Sequence, residues 1–268
     1  MNPSTDTSDT GAANLAFARA LIDELHAAGI ATAVICPGSR STPLALAVAQ
    51  HPRLPHSVHV DERNAAFHAL GHAKATGQPV AIICTSGTAG ANFLPAVAEA
   101  SHARVPLVVL TADRPPELRA WGAAQTMEQR TLYTGFTRWS EEAPCPSEGV
   151  GTGYARALAR RAVSEAMGPA PGPVHLNLPF REPLVPETID EPAAAARAAT
   201  SAPALLVQEP SDPSGALAAH MRGTARGVLV FGPDHPESKL PESLRRVAAA
   251  LGWPVIADPA SGLRAGTA

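Results

Sequence analysis

Val58-His59-Val60-Asp61-Glu62-Arg63-Asn64-Ala65-Ala66-Phe67 opens as a strand and turns directly into a helix. Val58 and Val60 share one face at period two, as a strand requires. Residues 64–76 are rich in Ala and closed by Gly77, the pattern of a helix with a glycine stop. Glu62 is therefore expected where a strand's carboxyl end meets a helix start. In open α/β sheets that edge is where ligands bind. A carboxylate there could equally do no more than complement the positive end of the helix dipole. The segments on either side bear on that choice.

Outward from this stretch the chain repeats the strand–loop–helix unit. After a start expected to be mobile (1–12), residues 13–28 form an amphipathic helix with Leu15, Ala18, Leu21, Ile22 and Leu25 at helical spacing, ended by Gly29. Residues 30–36 read as a short apolar strand. The loop Pro37-Gly38-Ser39-Arg40-Ser41-Thr42 follows, and Pro43 opens a helix to residue 50. Residues 80–84 form a strand that feeds the Gly-rich turn 86–92 and then a helix to about residue 103. Residues 105–110 are too apolar for a one-sided sheet, so this strand is expected to be central and parallel. It leads to Thr111-Ala112-Asp113-Arg114-Pro115-Pro116. Residues 120–150 are less regular, 154–167 helical, and 172–179 one more strand. Residues 186 to about 206 lack periodicity and look like a linker. A second α/β unit follows: helix 213–221, strand 227–231, helix 242–251 and strand 253–257. Two strands and two helices leave bare sheet edges and little core.

Composition sets outer limits. The 268 residues allow about one to two domains. With 17% charged residues and a net charge of −3, no basic field points to nucleic acid or anionic membrane. No apolar run reaches the length of a membrane span, and the polar N-terminus lacks a signal pattern. The three cysteines, Cys36, Cys84 and Cys145, have no CxxC spacing, which disfavours a disulfide framework or zinc site. A reduced, cytoplasmic, soluble α/β protein is expected.

Several motifs could carry chemistry. The 37–42 loop places Ser39 and Arg40 at a helix start that favours anions, and Arg adds a planar fork suited to a carboxylate. The same residues would serve a capped helix with a solvated Arg. The 86–92 turn lacks the Lys of a P-loop and any GxGxxG, so its glycines more naturally allow a close backbone approach. Asp113 and Arg114 form either a local ion pair or a second carboxylate grip. His68 and His72 are one helical turn apart but without the Glu of HExxH, so a metal site there is disfavoured. Cys36 and Cys84 read as small buried apolar residues, and no GxSxG elbow is present.

In order along the chain, Cys-Pro-Gly-Ser-Arg-Ser-Thr-Pro-Leu (36–44), His-Val-Asp-Glu-Arg-Asn-Ala-Ala-Phe (59–67), Thr-Ser-Gly-Thr-Ala (85–89), Thr-Ala-Asp-Arg-Pro-Pro-Glu-Leu (111–118) and Val-His-Leu-Asn-Leu-Pro-Phe-Arg-Glu-Pro-Leu (174–184) resemble one family. It is the 2-succinyl-5-enolpyruvyl-6-hydroxy-3-cyclohexene-1-carboxylate synthases, thiamine-diphosphate transferases of menaquinone biosynthesis. The resemblance extends to Arg226-Gly227-Val228-Leu229-Val230 and Leu251-Gly252-Trp253-Pro254.

The resemblance implies an α/β fold with a parallel-sheet pyrimidine-binding domain over residues 13–187, a linker over 188–206, and the first part of a central α/β domain over 207–268. The diphosphate-binding domain, with its Gly-Asp-Gly…Asn segment for Mg²⁺, has no counterpart in the sequence, so no residue here is assigned to metal and the chain alone is expected to be inactive. Glu62 matches the catalytic and cofactor-binding glutamate that bonds N1′ of the aminopyrimidine. Ser39, Arg40 and Arg114 match contacts to the carboxylates of 2-oxoglutarate and isochorismate. Gln125 matches a glutamine on the isochorismate side, although Ala124 stands where the family commonly has Asn. A homo-oligomer with the cofactor between subunits is implied. Another thiamine-diphosphate carboligase, or a non-catalytic binding or assembly module or inactive truncated product of the same descent, stays open.

Overall fold

A computed structural model describes residues 7–147, 149–190, 214–232, 240–259 and 261. The chain divides into two compact units, 1–202 and 203–268. In the first, β1 (Thr32–Ile35), β2 (His56–Val58), β3 (Val80–Cys84), β4 (Leu107–Asp113), β5 (Trp139–Glu142) and β6 (Val174–Pro179) form a sheet in the order β2-β1-β3-β4-β6-β5. Every pairing is parallel. As expected, the apolar strand β4 is central, between β3 and β6, and all of its residues are buried.

Helices α1 (Thr7–Ala27), α2 (Thr42–Ala49) and α5 (Thr152–Ala166) cover one face, and α3 (Glu62–Thr76) and α4 (Thr88–His102) the other. The strands' period of two divides the core between these faces. Ala33, Ile35, Ala81, Ile83, Val108 and Leu110 point to the first, and Val34, Cys36, Val80, Ile82, Leu107 and Val109 to the second. On α3 the buried Ala65, Ala66, Ala69, Leu70 and Ala73 make a small-residue stripe that lies close to the sheet. Phe93 of α4 is fully buried, a transfer worth about 1.5–3 kcal/mol.

The local signals around α3 have physical counterparts. Asp61 is its N-cap, accepting from the Asn64 N–H at 2.9 Å. Gly77 closes it in the left-handed region at φ 73°. Several boundaries differ from expectation. Helix α1 begins at Thr7, ahead of the start expected at residue 13, and residues 1–6 lie outside the described residues. Strand β2 ends at Val58, and as an edge strand it leaves Val58 and Val60 exposed, not paired on a covered face. Helix α4 begins at Thr88, so most of the Gly-rich turn is helical and only Gly87, at φ 80°, uses glycine's freedom. β5 lies inside the stretch read as irregular; its Trp-Ser-Glu-Glu sequence is that of a half-covered edge, which carries no strong apolar pattern.

In the second unit β7 (Leu229–Phe231) and β8 (Val255–Ala257) pair in parallel, with α6 (Ser214–Gly223) and α7 (Leu240–Leu251) alongside in sequence. Val230 and Ile256 are exposed on this two-stranded sheet. The expected linker over 188–206 lies, from residue 191 on, outside the described residues. No described helix is long and apolar enough to cross a membrane.

Candidate functional site

The strand order reverses between β1 and β3: from β1 the chain steps outward to β2, then crosses back to β3. Such a switch point opens a crevice at the carboxyl ends of the two strands. The loops after β1 and β3 meet there closely. A Cβ at Gly38 would stand 2.4 Å from Thr85 Cβ, so only glycine fits. Ser39 and Arg40 follow β1, Glu62 follows β2, Ser86 and Gly87 follow β3, and Arg114 follows β4. Four of the five predicted site residues are thus set at this edge by strand–helix junctions, and Gln125 reaches it through Ser86.

Glu62 is the first residue of α3 and is half-buried. Its carboxylate has no hydrogen-bond or ion-pair partner among the described residues, and the capping of α3 falls to Asp61 instead. Burial first, and then the Glu62 carboxylate, pushes the Cys36 thiol up to about 12. The Cys84 thiol is also raised, by burial first, then Cys36 and Glu62. Glu62 therefore lies close to the ends of β1 and β3. Both thiols are buried and protonated, which fits a packing role. Exposed Val58, Val60 and Phe67 flank Glu62 in sequence.

Arg40 is only 3% exposed. It is not a solvated cation. It donates to Phe180 O at 2.9 Å and to the Glu182 carboxylate at 2.7 Å, while its Nε–H is buried without a partner. Thr85 Oγ1 is likewise buried and unpartnered. Ser39 is exposed, and its carbonyl accepts from the Thr42 hydroxyl at 2.7 Å and the Thr42 N–H at 3.1 Å.

Arg114 is half-buried, with its guanidinium lowered from its ordinary range by burial and then by the nearby positive charge of Arg40. The two guanidinium groups thus share one neighbourhood. The side chain of Arg114 donates to Ser86 Oγ and makes no ion pair with Asp113. Asp113 instead accepts from Arg119 at 2.8 Å, Asn177 Nδ2 at 2.9 Å and the Arg114 backbone N–H at 2.7 Å. Of the two readings of Asp113-Arg114, the local ion pair is absent. Burial nonetheless raises the Asp113 carboxyl against these three donors. Arg119 also bonds Glu142 at 2.5 Å, which ties β4 to β5.

Gln125 is exposed and left-handed at φ 58°. Its side-chain amide donates to Ser86 O, and its own carbonyl accepts from Ser86 Oγ, both at 3.1 Å. Ser86 therefore joins Arg114 and Gln125. A buried polar chain supports it from below. His175 and Thr111 Oγ1 are 2.7 Å apart; Thr111 and Gln129 both donate to Asn177 Oδ1 at 3.0 Å. With its hydroxyl proton given to Asn177, Thr111 must accept from His175, which fixes the proton on Nε2. Burial holds this imidazole neutral, down to about 3.

Arg119 and Gln129 carried no signal in the sequence as parts of this edge, and Ser86 and Glu182 were visible only as members of the motifs at 85–89 and 174–184. The His68 ring lies against His59 at 4.6 Å between centroids, and no described cluster of three His, Cys, Asp or Glu could hold a metal ion.

The chain is similar to known proteins in sequence and in fold. Residues 15–132 match the family "Thiamine pyrophosphate enzyme, N-terminal TPP binding domain". The chain is 49% identical over 256 residues to a 2-succinyl-5-enolpyruvyl-6-hydroxy-3-cyclohexene-1-carboxylate synthase of Geobacillus kaustophilus, covering 94% of this chain and 44% of that protein. It is 48% identical over 272 residues to the synthase of the same name from Halobacterium salinarum, covering 94% and 46%. A Rhodococcus jostii RHA1 thiamine diphosphate-dependent 4-hydroxybenzoylformate decarboxylase shares the fold, with TM-score 0.70 at 22% identity over 91% of this chain and 44% of that one. The chain spans about half the length of the curated relatives it matches. In sequence the chain is thus similar, over 94% of its length, to the N-terminal part of 2-succinyl-5-enolpyruvyl-6-hydroxy-3-cyclohexene-1-carboxylate synthases, and it carries the thiamine pyrophosphate enzyme N-terminal domain over residues 15–132.

Proposed function

We propose that this chain is the pyrimidine-binding part of a thiamine-diphosphate transferase that joins 2-oxoglutarate, with loss of CO2, to isochorismate. The product is 2-succinyl-5-enolpyruvyl-6-hydroxy-3-cyclohexene-1-carboxylate, in menaquinone biosynthesis. The observation that carries this reading is Glu62, a half-buried carboxylate at the sheet's carboxyl edge with no partner among the described residues and no capping duty. Such a group fits the ring nitrogen of an aminopyrimidine. The orphaned Thr85 Oγ1 and the tight Gly38–Thr85 approach beside it support a shaped ligand site.

When bound, thiamine diphosphate supplies the nucleophilic carbon for the decarboxylation and the carbon–carbon bond. Glu62 would hold a proton at N1′ and so let the pyrimidine's amino group act as a base. Arg40 carries a free Nε–H, and with Ser39 and Arg114 it would grip substrate carboxylates by charge-assisted bonds. Gln125 would face isochorismate. Diphosphate and Mg²⁺ would be held by residues outside this chain, which has no Gly-Asp-Gly…Asn segment, so the 268 residues alone would be inactive. The exposed Val58, Val60 and Phe67 beside Glu62 would be covered by a second subunit that completes the site.

The test is turnover by the complete protein of which this chain is part, with 2-oxoglutarate, isochorismate, thiamine diphosphate and Mg²⁺. Consumption of both acids with CO2 release, dependent on the cofactor, is expected. Absence of turnover, or CO2 release without isochorismate consumption, would replace this reading with a binding module or another carboligase.

A further inference from the structure

We infer that Gln129 is a positioning residue for the isochorismate side of the site; the inference rests on the function proposed above. Gln129 is 1% exposed and so does not itself reach the edge. Its carboxamide joins the ends of three strands. Oε1 accepts from the Gly87 N–H, just beyond β3, at 2.7 Å. Nε2 uses one hydrogen on Ala112 O of β4 at 3.1 Å and the other on Asn177 Oδ1 of β6 at 3.0 Å.

This set admits one orientation. A flipped amide would face its NH2 to the Gly87 N–H and its oxygen to two acceptors, losing all three bonds. Asn177 cannot flip to compensate, because its Nδ2 donates to Asp113 and its Oδ1 also accepts from Thr111. Gln129 is therefore locked, and it locks Gly87 in turn.

Gly87 matters because Gln125 rests on it. A Cβ at Gly87 would stand 2.8 Å from Gln125 Cγ, and the neighbouring Ser86 exchanges two bonds with Gln125 while taking the Arg114 guanidinium on its hydroxyl. Gln125 is a non-glycine residue at φ 58°, a conformation that persists where its surroundings impose it. Gln129 anchors the same connecting segment four residues later, on the far side of Gly87. Loss of its bonds frees the Ser86–Gly87 turn and with it the alignment of Gln125 and Arg114. Glu62, on α3, has no bond to this segment and keeps its place.

The test compares Gln129→Met, of similar size without the bonds, and Gln129→Glu, which keeps an acceptor for Gly87 but loses both donors. In the complete protein, Gln129→Met should raise KM for isochorismate about tenfold or more. Exchange of the cofactor C2 proton, which reports on Glu62, should stay within about threefold of parental. In the 268-residue chain the Gly87 and Gln125 amide protons should exchange with solvent at least about ten times faster. Gln129→Glu, which sets a carboxylate oxygen against Ala112 O and Asn177 Oδ1, should give an effect at least as large on both readouts. An unchanged KM in a folded variant, equal losses in KM and C2 exchange, or two variants that both fail to fold would overturn the inference. If the parental protein consumes neither acid, the function proposed above fails instead. The amide exchange then still decides whether Gln129 holds the turn, and unaltered rates refute it.

Discussion

Replacement of Glu62 by Gln separates the chemical role of this residue from a role in holding α3. The structure assigns the N-cap to Asp61, through its 2.9 Å bond from the Asn64 N–H, and leaves Glu62 without a partner among the described residues. What Glu62 can contribute to folding is then limited to the helix dipole, about 0.3–1 kcal/mol. For a domain of this size 1 kcal/mol shifts the thermal midpoint by about 2–4 °C, so Glu62→Gln should lower it by no more than about 4 °C. Asp61→Ala removes a true cap and should cost about 0.5–2 kcal/mol. The chemical consequence runs the other way. Gln is close to Glu in size and polarity but cannot exchange a proton, and loss of general acid–base help costs about 10²–10⁴ in rate. In the complete protein, quenched-flow exchange of the cofactor C2 proton for deuterium should slow by about two orders of magnitude in Glu62→Gln. In Asp61→Ala it should remain near the parental rate. A Glu62→Gln protein that melts more than about 4 °C early yet exchanges at the parental rate would make Glu62 a structural residue.

Further outcomes are expected. Arg40→Lys lacks the planar fork that serves Phe180 O, Glu182 and the free Nε–H together; kcat/KM for 2-oxoglutarate should fall by about tenfold or more, the equivalent of 1.4 kcal/mol, and a change under about twofold would remove Arg40 from the substrate contacts. His175 is held neutral in the fold down to about 3 from an ordinary 6.5, so the unfolded chain binds the extra proton between those values. Its stabilising contribution is complete above pH 6.5 and is lost as pH falls toward 3. Chemical denaturation across that window should show a shallower acid loss in His175→Phe than in the parental protein, and parallel slopes would contradict the burial argument. Calorimetric titration of the 268-residue chain with thiamine diphosphate and Mg²⁺ should show no micromolar binding, since about −8.2 kcal/mol is more than a pyrimidine pocket should supply; saturable binding at that level would place the diphosphate ligands within this chain.

What depends on neighbours a few residues apart was legible in the sequence. Continuous apolar runs in β1, β3 and β4, the Gly77 stop of α3, and Pro43 at the start of α2 act through backbone geometry over a few residues, and each could be read in place. That was enough to put Ser39, Arg40, Glu62 and Arg114 at strand–helix junctions. It failed where a pattern was weak or had no covering partner, as in edge strand β5 and exposed Val60. Tertiary structure alone decided which side chains meet. Arg40 pairs with Glu182, 142 residues away, and Asn177 reaches Asp113 over 64. Asp113 takes Arg119 rather than the adjacent Arg114, because the chain turns Arg114 toward Ser86. Gln129 sat in a stretch without periodicity, and its role exists only because three parallel strands bring Gly87, Ala112 and Asn177 to one place. Hydrogen-bond complementarity of buried groups depends on partners far apart in the chain, so only the order of strands in the sheet could reveal it.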